Sequence, residues 1–244
     1  MIFAAGLGTR LKPLTDTMPK ALVPLAGKPL LQWQVEKLRD AGITDIIVNV
    51  HHFPDMIIDT IRQNDGWGCN ITISDERNQL LDTGGGLRKA QEWLMANSQE
   101  PTAILACNVD ILSNIDLRAL IAYYQSPITN HQSPLGVLVV SQRETQRYLC
   151  FNEHDRLCGW TNSKTGELKG KDGRHLAFSG MQILSPEILS LLPQMSQDKF
   201  SLIDFYLSAM NQVSLKAFIP NDYRMMDVGK IDQIEEAERF AQSL

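Results

Sequence analysis

Cysteine is scarce in this chain: four residues among 244, at positions 69, 107, 150 and 158, with no two at CxxC spacing. That excludes a disulfide-stapled miniprotein and reads as reduced thiols in a cytoplasmic protein. No apolar run reaches the roughly 18 residues a membrane span requires, so no membrane association is expected. The opening Met1-Ile2-Phe3-Ala4-Ala5 lacks the basic flank of a secretory leader. Basic charge is not in excess either: 23 Lys and Arg stand against 28 Asp and Glu, a net charge of −5. Nucleic-acid binding needs a broad basic face, so no such partner is expected, although a local basic cluster can still hold one small phosphorylated ligand. Low-complexity tracts and internal repeats are also missing. What remains is a chain with 43% hydrophobic and 21% charged residues, long enough to bury a core without staples.

The first half alternates strand-like and helix-like stretches. Ile2 to Ala5 is a short apolar run that breaks into a glycine-rich loop. Pro29 to Ala41 carries Leu31, Val35 and Leu38 at helical spacing, and Gly42 suits its stop. Strands are predicted at Ile46 to Val50, Ile71 to Ser74 and Thr102 to Cys107, with helices at Pro54 to Arg62 and Gly84 to Met95. This order predicts an α/β fold, a Rossmann-like and mostly parallel mixed sheet with helices on both faces. Further along, strands are expected at Gly136 to Ser141, Phe178 to Leu184 and Val213 to Ile219, with a hairpin over Leu149 to Trp160. Lys164 to Arg174 is polar and glycine-rich and reads as a loop or turn series. Helices are expected at Pro186 to Leu192, Phe200 to Met210 and Ile231 to Ala241. No linker separates two domains, so 1–244 reads as a single domain.

The most informative stretch is Ala4-Ala5-Gly6-Leu7-Gly8-Thr9-Arg10, followed by Pro19-Lys20. Small residues directly after a strand let the backbone approach a ligand, and free N–H groups can cradle phosphate oxygens. Arg10 adds a planar fork for phosphate and Lys20 a compact positive charge. A P-loop fails on residue identity, because Gly27-Lys28 is followed by Pro29. A dinucleotide fingerprint fails too, since Leu11 stands where the third glycine belongs.

Gly6-Leu7-Gly8-Thr9-Arg10, then eight residues, then Pro19-Lys20 resembles the signature of the sugar-phosphate nucleotidyltransferases. The likeness continues through Pro24 to Leu30, Asp82-Thr83-Gly84-Gly85-Gly86, Asn108-Val109-Asp110, Phe178-Ser179-Gly180 and Met226-Asp227-Val228-Gly229. It is nearest to short single-domain members that use sugar 1-phosphates; no hexapeptide repeat follows.

The resemblance implies the nucleotide-diphospho-sugar transferase fold. It also implies the reaction of an NTP with a sugar 1-phosphate to give an NDP-sugar and pyrophosphate. Residues 1–114 would form the nucleotide-binding half and 115–244 the sugar-phosphate half. Arg10 and Lys20 take the catalytic roles. Ala4, Ala5, Gly6, Leu7, Gly8, Thr9, Asp82, Thr83, Gly84, Gly85 and Asn108 would bind the nucleotide. Arg143, Arg147, Ser179 and Gly180 would bind the sugar phosphate. Asp110 and Asp227 would converge on one Mg²⁺, whose preference for hard oxygen suits two carboxylates. The likeness places UTP ahead of GTP, and a monomer or small homo-oligomer is expected. Val109 and Asn114 depart from the common pattern, and the stretch from Arg143 to Arg147 lacks the lysine of many relatives.

Two other readings keep the same motifs. One changes the acceptor to phosphocholine or molybdopterin; the other is a non-catalytic nucleotide-sugar sensor. Retention of Arg10, Lys20, Asp110 and Asp227 together argues against the sensor. His51-His52 resembles a metal pair, but adjacent strand residues point to opposite faces.

Overall fold

The apolar runs and their glycine and proline breaks fold largely where their pattern places them. The computed structural model describes residues 1–96, 103–126 and 134–244. In chain order the elements are β1 (Ile2–Phe3), β2 (Pro24–Leu25), β3 (Lys28–Pro29), α1 (Leu30–Asp40), β4 (Asp45–Val50), α2 (Pro54–Gln63), β5 (Asn70–Asp75), α3 (Asp82–Ala96), β6 (Ile104–Asn108), β7 (Ile111–Ser113) and α4 (Leu117–Gln125). They continue with β8 (Gly136–Ser141), β9 (Arg147–Phe151), β10 (Leu157–Asn162), β11 (Glu167–Gly170), β12 (Arg174–Leu184), α5 (Pro186–Leu189), α6 (Leu202–Ala209), β13 (Leu215–Phe218), β14 (Met225–Asp227) and α7 (Ile234–Ala241). Among the described residues no helix is long and apolar enough to cross a membrane.

The chain divides into two compact units, the first made of Met1–Asp82, Cys107–Ile115 and Arg224–Leu244. Its strands run β6-β1-β4-β5, all parallel. The inner strands are buried, so β4 reads as Ile46-Ile47-Val48-Asn49-Val50 without apolar–polar alternation. α1 buries Leu30, Leu31, Val35 and Leu38, and Gly42 follows it at φ 87°, a left-handed conformation that glycine adopts without strain. Phe3 of β1 is in register with Asn108 of β6. The loops that follow these two strands therefore leave the sheet side by side at the same end, where open parallel sheets place their ligands.

The second unit comprises Thr83–Ala106 and Asp116–Tyr223. Its strands run β11-β10-β9-β12-β8-β13, antiparallel except for the β8–β13 pair. A register shift interrupts β12 against β8 between Phe178 and Gln182.

Several expectations need correction. The polar stretch 164–174 is not only loop: Glu167–Gly170 forms β11 and Arg174 opens β12. All four residues of β11 are exposed, so the strand carries no hydrophobic signal and exists through its pairing with β10. The helix expected from Gly84 begins two residues earlier, at Asp82, so the triple glycine lies within the first turns of α3. The strands β7 and β14, three residues each, were not expected. Thr102, expected to open a strand, lies outside the described residues.

Candidate active site

The glycine loop surfaces abruptly. Ala4 and Ala5 are buried, whereas Gly6, Leu7, Thr9 and Arg10 are exposed. Gly8 has φ 64°, and a Cβ there would lie 2.8 Å from Thr15 Cγ2 and 3.0 Å from Lys20 Cβ. Glycine is required at this position both by conformation and by the close approach of Thr15 and Lys20. Thr15 Oγ1 also donates to the Gly8 carbonyl at 2.8 Å. A Cβ on Gly6, by contrast, would meet no protein atom within 4 Å. Internal packing therefore gives no reason for that glycine.

Lys20 is buried at 8% exposure, and its ammonium donates to Asp110 Oδ2 in a short ion pair. Asp110 follows β6, and its carbonyl accepts from Val228 N–H at 2.9 Å. The β7–β14 pairing sets Asp227 opposite Ile111, the residue after Asp110, so the backbones of the two aspartates meet at one end of that ladder. Gly229 completes the set. A Cβ there would lie 2.7 Å from Asp227 Oδ1 and 2.9 Å from Arg10 Nη2. The four residues assigned to metal and phosphate chemistry, Arg10, Lys20, Asp110 and Asp227, thus come together in the first unit.

Gly229 makes that convergence testable. In Gly229→Ala the new methyl displaces only the far ends of flexible side chains, so stability is expected to stay within about 1 kcal/mol. Misplacing the Asp227 carboxylate and the Arg10 guanidinium is expected to lower kcat/KM by about tenfold to a hundredfold. Thermal melts and steady-state pyrophosphate release check both halves; unchanged turnover would separate Gly229, with the Asp227 and Arg10 atoms it touches, from the reacting centre.

Residues that sequence reasoning missed hold this frame in place. Asn49 Oδ1 accepts from Ala4 N–H at 2.7 Å, and Asn49 Nδ2 donates to Glu76 Oε1 at 2.8 Å. Glu76 Oε2 accepts from Leu81 N–H at 3.2 Å. Both side chains are almost completely buried, and the chain of bonds links the entry of the glycine loop to the approach to α3. The signal was available, because Asn49 is the one polar residue in an otherwise apolar run. From α1, Gln34 Nε2 donates to Ile111 O at 2.6 Å and Lys37 Nζ donates to Ser113 O, which satisfies β7 carbonyls. Burial pushes the Lys37 ammonium down to about 8. His51 and His52 meet different partners, Glu76 O at 2.7 Å and Thr15 O at 3.1 Å, as strand-end support.

In the second unit, the amides of Gly84 and Gly85 both donate to Phe200 O, at 2.9 and 3.2 Å. A Cβ on Gly84 would fall 2.4 Å from the Phe200 ring. Thr83 Oγ1 accepts from Leu202 N–H at 2.9 Å and serves the start of α6. These residues therefore have structural partners besides any nucleotide. Asp82, in the first unit, is exposed at φ 61°, and Asn108 is half-buried at the end of β6.

The residues assigned to the sugar phosphate also lie in the second unit. Arg143 and Arg147 are exposed, and Arg143 Nη2 donates to Phe178 O at 3.0 Å. Ser179 is fully buried at the β12 irregularity, next to Gly180 at φ 68°. The Ser179 hydroxyl has no hydrogen-bond partner among the described residues. A buried orphan hydroxyl is costly unless something else satisfies it.

Comparison with known proteins resolves what this arrangement belongs to. The nucleotidyl transferase profile matches residues 1–243. The chain belongs to the nucleotidyl transferase family. This nucleotidyl transferase is 32% identical over 241 residues to N-acetylmuramate alpha-1-phosphate uridylyltransferase of Neisseria meningitidis serogroup B, covering 99% of this chain and 97% of the relative. It is 28% identical over 235 residues to mannose-1-phosphate guanyltransferase 2 of Candida glabrata, covering 94% of this chain and 61% of the relative. In fold it matches a crystal structure of HddC from Yersinia pseudotuberculosis complexed with GMP-PN. The TM-score is 0.74 at 24% identity, over 98% of this chain and 97% of that one. The α/β fold expected from sequence is thus the fold of this group. The nucleotidyl transferase is an enzyme of nucleotide-sugar biosynthesis that acts on sugar phosphates.

Proposed function

We propose that the enzyme transfers a uridylyl group from UTP to the α-1-phosphate of an N-acetylmuramate-type sugar, releasing pyrophosphate, with Mg²⁺ as the metal. The observation that carries the sugar and base is the similarity to the Neisseria uridylyltransferase along the whole of both chains.

The acceptor phosphate is already a competent nucleophile, so the reaction requires no general base and no covalent intermediate. It requires two polyanions held in line and cations where charge develops. Arg10 offers two parallel N–H donors to a phosphate. Lys20 offers a compact charge whose position Asp110 fixes before any ligand arrives. The open backbone at Gly6 supports close approach of a phosphate oxygen. Asp110 and Asp227 are hard oxygen donors, a chemistry that fits Mg²⁺ and that the closeness of their backbones at the β7–β14 ladder supports, and they would hold it. When bound, that ion supplies charge neutralisation at the α-phosphate and the departing pyrophosphate. Arg143, Arg147, Ser179 and Gly180 are assigned to the sugar phosphate, and the unpartnered Ser179 hydroxyl supports that assignment.

The test is pyrophosphate release with UTP, GTP, CTP, dTTP or ATP against N-acetylmuramate, mannose and glucose 1-phosphates. UTP with the muramate ester is expected to give the highest kcat/KM. Preference for GTP with mannose 1-phosphate would replace this reading with the guanylyl one. With phosphocholine and a pterin phosphate added as acceptors, release with one of these alone would move the acceptor outside sugars.

A further inference from the structure

A second cluster of ligating side chains lies in the second unit and shares no residue with the chemistry above. Cys150 and His175 are directly opposite each other in the β9–β12 ladder, so their side chains project on one face. Asp172 sits in the turn just before β12. His175 Nε2 bonds Asp172 Oδ1 at 2.6 Å, and Cys150 Sγ lies 3.9 Å from the same oxygen. One ligand atom from each residue lies within 4.8 Å of the other two. Tyr148 stacks on the His175 ring, centroids 5.8 Å apart, and limits its rotation. A second sulfur is adjacent: Cys158 Sγ lies 3.3 Å from Cys150 O and 3.8 Å from Asp172 O. A cavity of about 530 Å³, lined in part by Asn152, Asp155, Asp172 and Arg174, opens Asp172 to solvent.

We propose that Cys150, Asp172 and His175 form a binding site for a thiophilic divalent cation of the Zn²⁺ type. The donor set decides the class. Thiolate, imidazole and carboxylate together are zinc ligands, whereas Mg²⁺ takes oxygen alone. Zinc bonds of about 2.0 to 2.3 Å put tetrahedral donor atoms roughly 3.5 Å apart. The separations of 2.6 and 3.9 Å bracket that spacing. Burial, then the Asp172 charge, push the Cys150 thiol up to about 11. Binding replaces the His175–Asp172 hydrogen bond with two metal bonds and releases the thiol proton to solvent. The fourth position falls to water, with Cys158 beside it. The ion would clamp β9 to the turn before β12, so its role is structural and independent of nucleotidyl transfer.

The test uses the full chain, loaded with Zn²⁺, desalted and assayed for retained metal. Asp110→Asn separates this site from the one assigned to Mg²⁺. One equivalent per chain is expected, kept in Asp110→Asn and weakened at least about tenfold in Cys150→Ser and in His175→Ala. Titration with Co²⁺ is expected to give a thiolate-to-cobalt charge-transfer band that Cys150→Ser abolishes. His175 is exposed, so His175→Ala remains informative if the buried Cys150→Ser misfolds. Absence of retained zinc would overturn the site. So would retention unaffected by His175→Ala, or a cobalt spectrum without the sulfur band. A Cys150–Cys158 disulfide in place of metal uptake, detected by mass, would also overturn it.

Discussion

Lys20→Met is expected to lower kcat/KM by about a hundredfold to a thousandfold, the scale for losing one preorganised charge at a reacting anion. The side chain is only 10% exposed, and its ammonium is already held by Asp110 before substrate binds. A charge fixed in that way needs no reorganisation when a phosphate arrives, which is why its removal costs more than that of a solvated lysine. Its Cβ also abuts Gly8, so ammonium and glycine loop share one rigid frame. Lys20→Arg should recover little, because the longer, wider guanidinium has to fit where a compact ammonium meets Asp110 in a nearly closed site. The loss is expected in kcat more than in KM if Lys20 acts on charge that develops during transfer. Turnover within about threefold of the parent enzyme would show that Lys20 serves only to neutralise Asp110.

The second large effect is on stability. Glu76→Ala strips the acceptors from the buried Asn49 Nδ2 and from the half-buried Leu81 N–H. Buried donors left without partners cost about 1 to 3 kcal/mol each, so a total near 3 kcal/mol or more is expected. For a chain of this size that corresponds to a fall in Tm of roughly 6 to 12 °C. Glu76→Gln keeps the shape but sets an amide N–H₂ against one of the two donors, and should fall between the parent and Glu76→Ala. Activity should fall with it at temperatures below the melt, because Asn49 then loses its hold on the Ala4 amide that starts the glycine loop. A Tm within about 2 °C of the parent would show that water replaces the carboxylate.

Much of this protein was legible from local pattern. The inner parallel strands of the first unit are apolar because both their faces are covered, and α1 carries its own periodicity and its glycine stop. The glycine loop was legible for a similar reason: its residues are contiguous, and Gly8 must be glycine whatever else surrounds it. Those features rest on the backbone preferences and spacing of neighbouring residues, which a chain carries before it folds.

Other features rest on contacts between distant segments, and no local pattern encodes them. β7 and β14 are three residues each, too short to show alternation, yet their pairing alone sets Asp227 beside Asp110. Gly84 reads as room for a ligand, but its tightest neighbour is Phe200, from a remote stretch of chain. β11 is a strand only because β10 lies next to it. Cys150, Asp172 and His175 have no shared motif, and the register of β9 on β12 is what gathers them. In each case the chemistry depends on which segments pair. Pairing is settled by the burial and hydrogen bonding of the whole sheet rather than by the residues that end up adjacent.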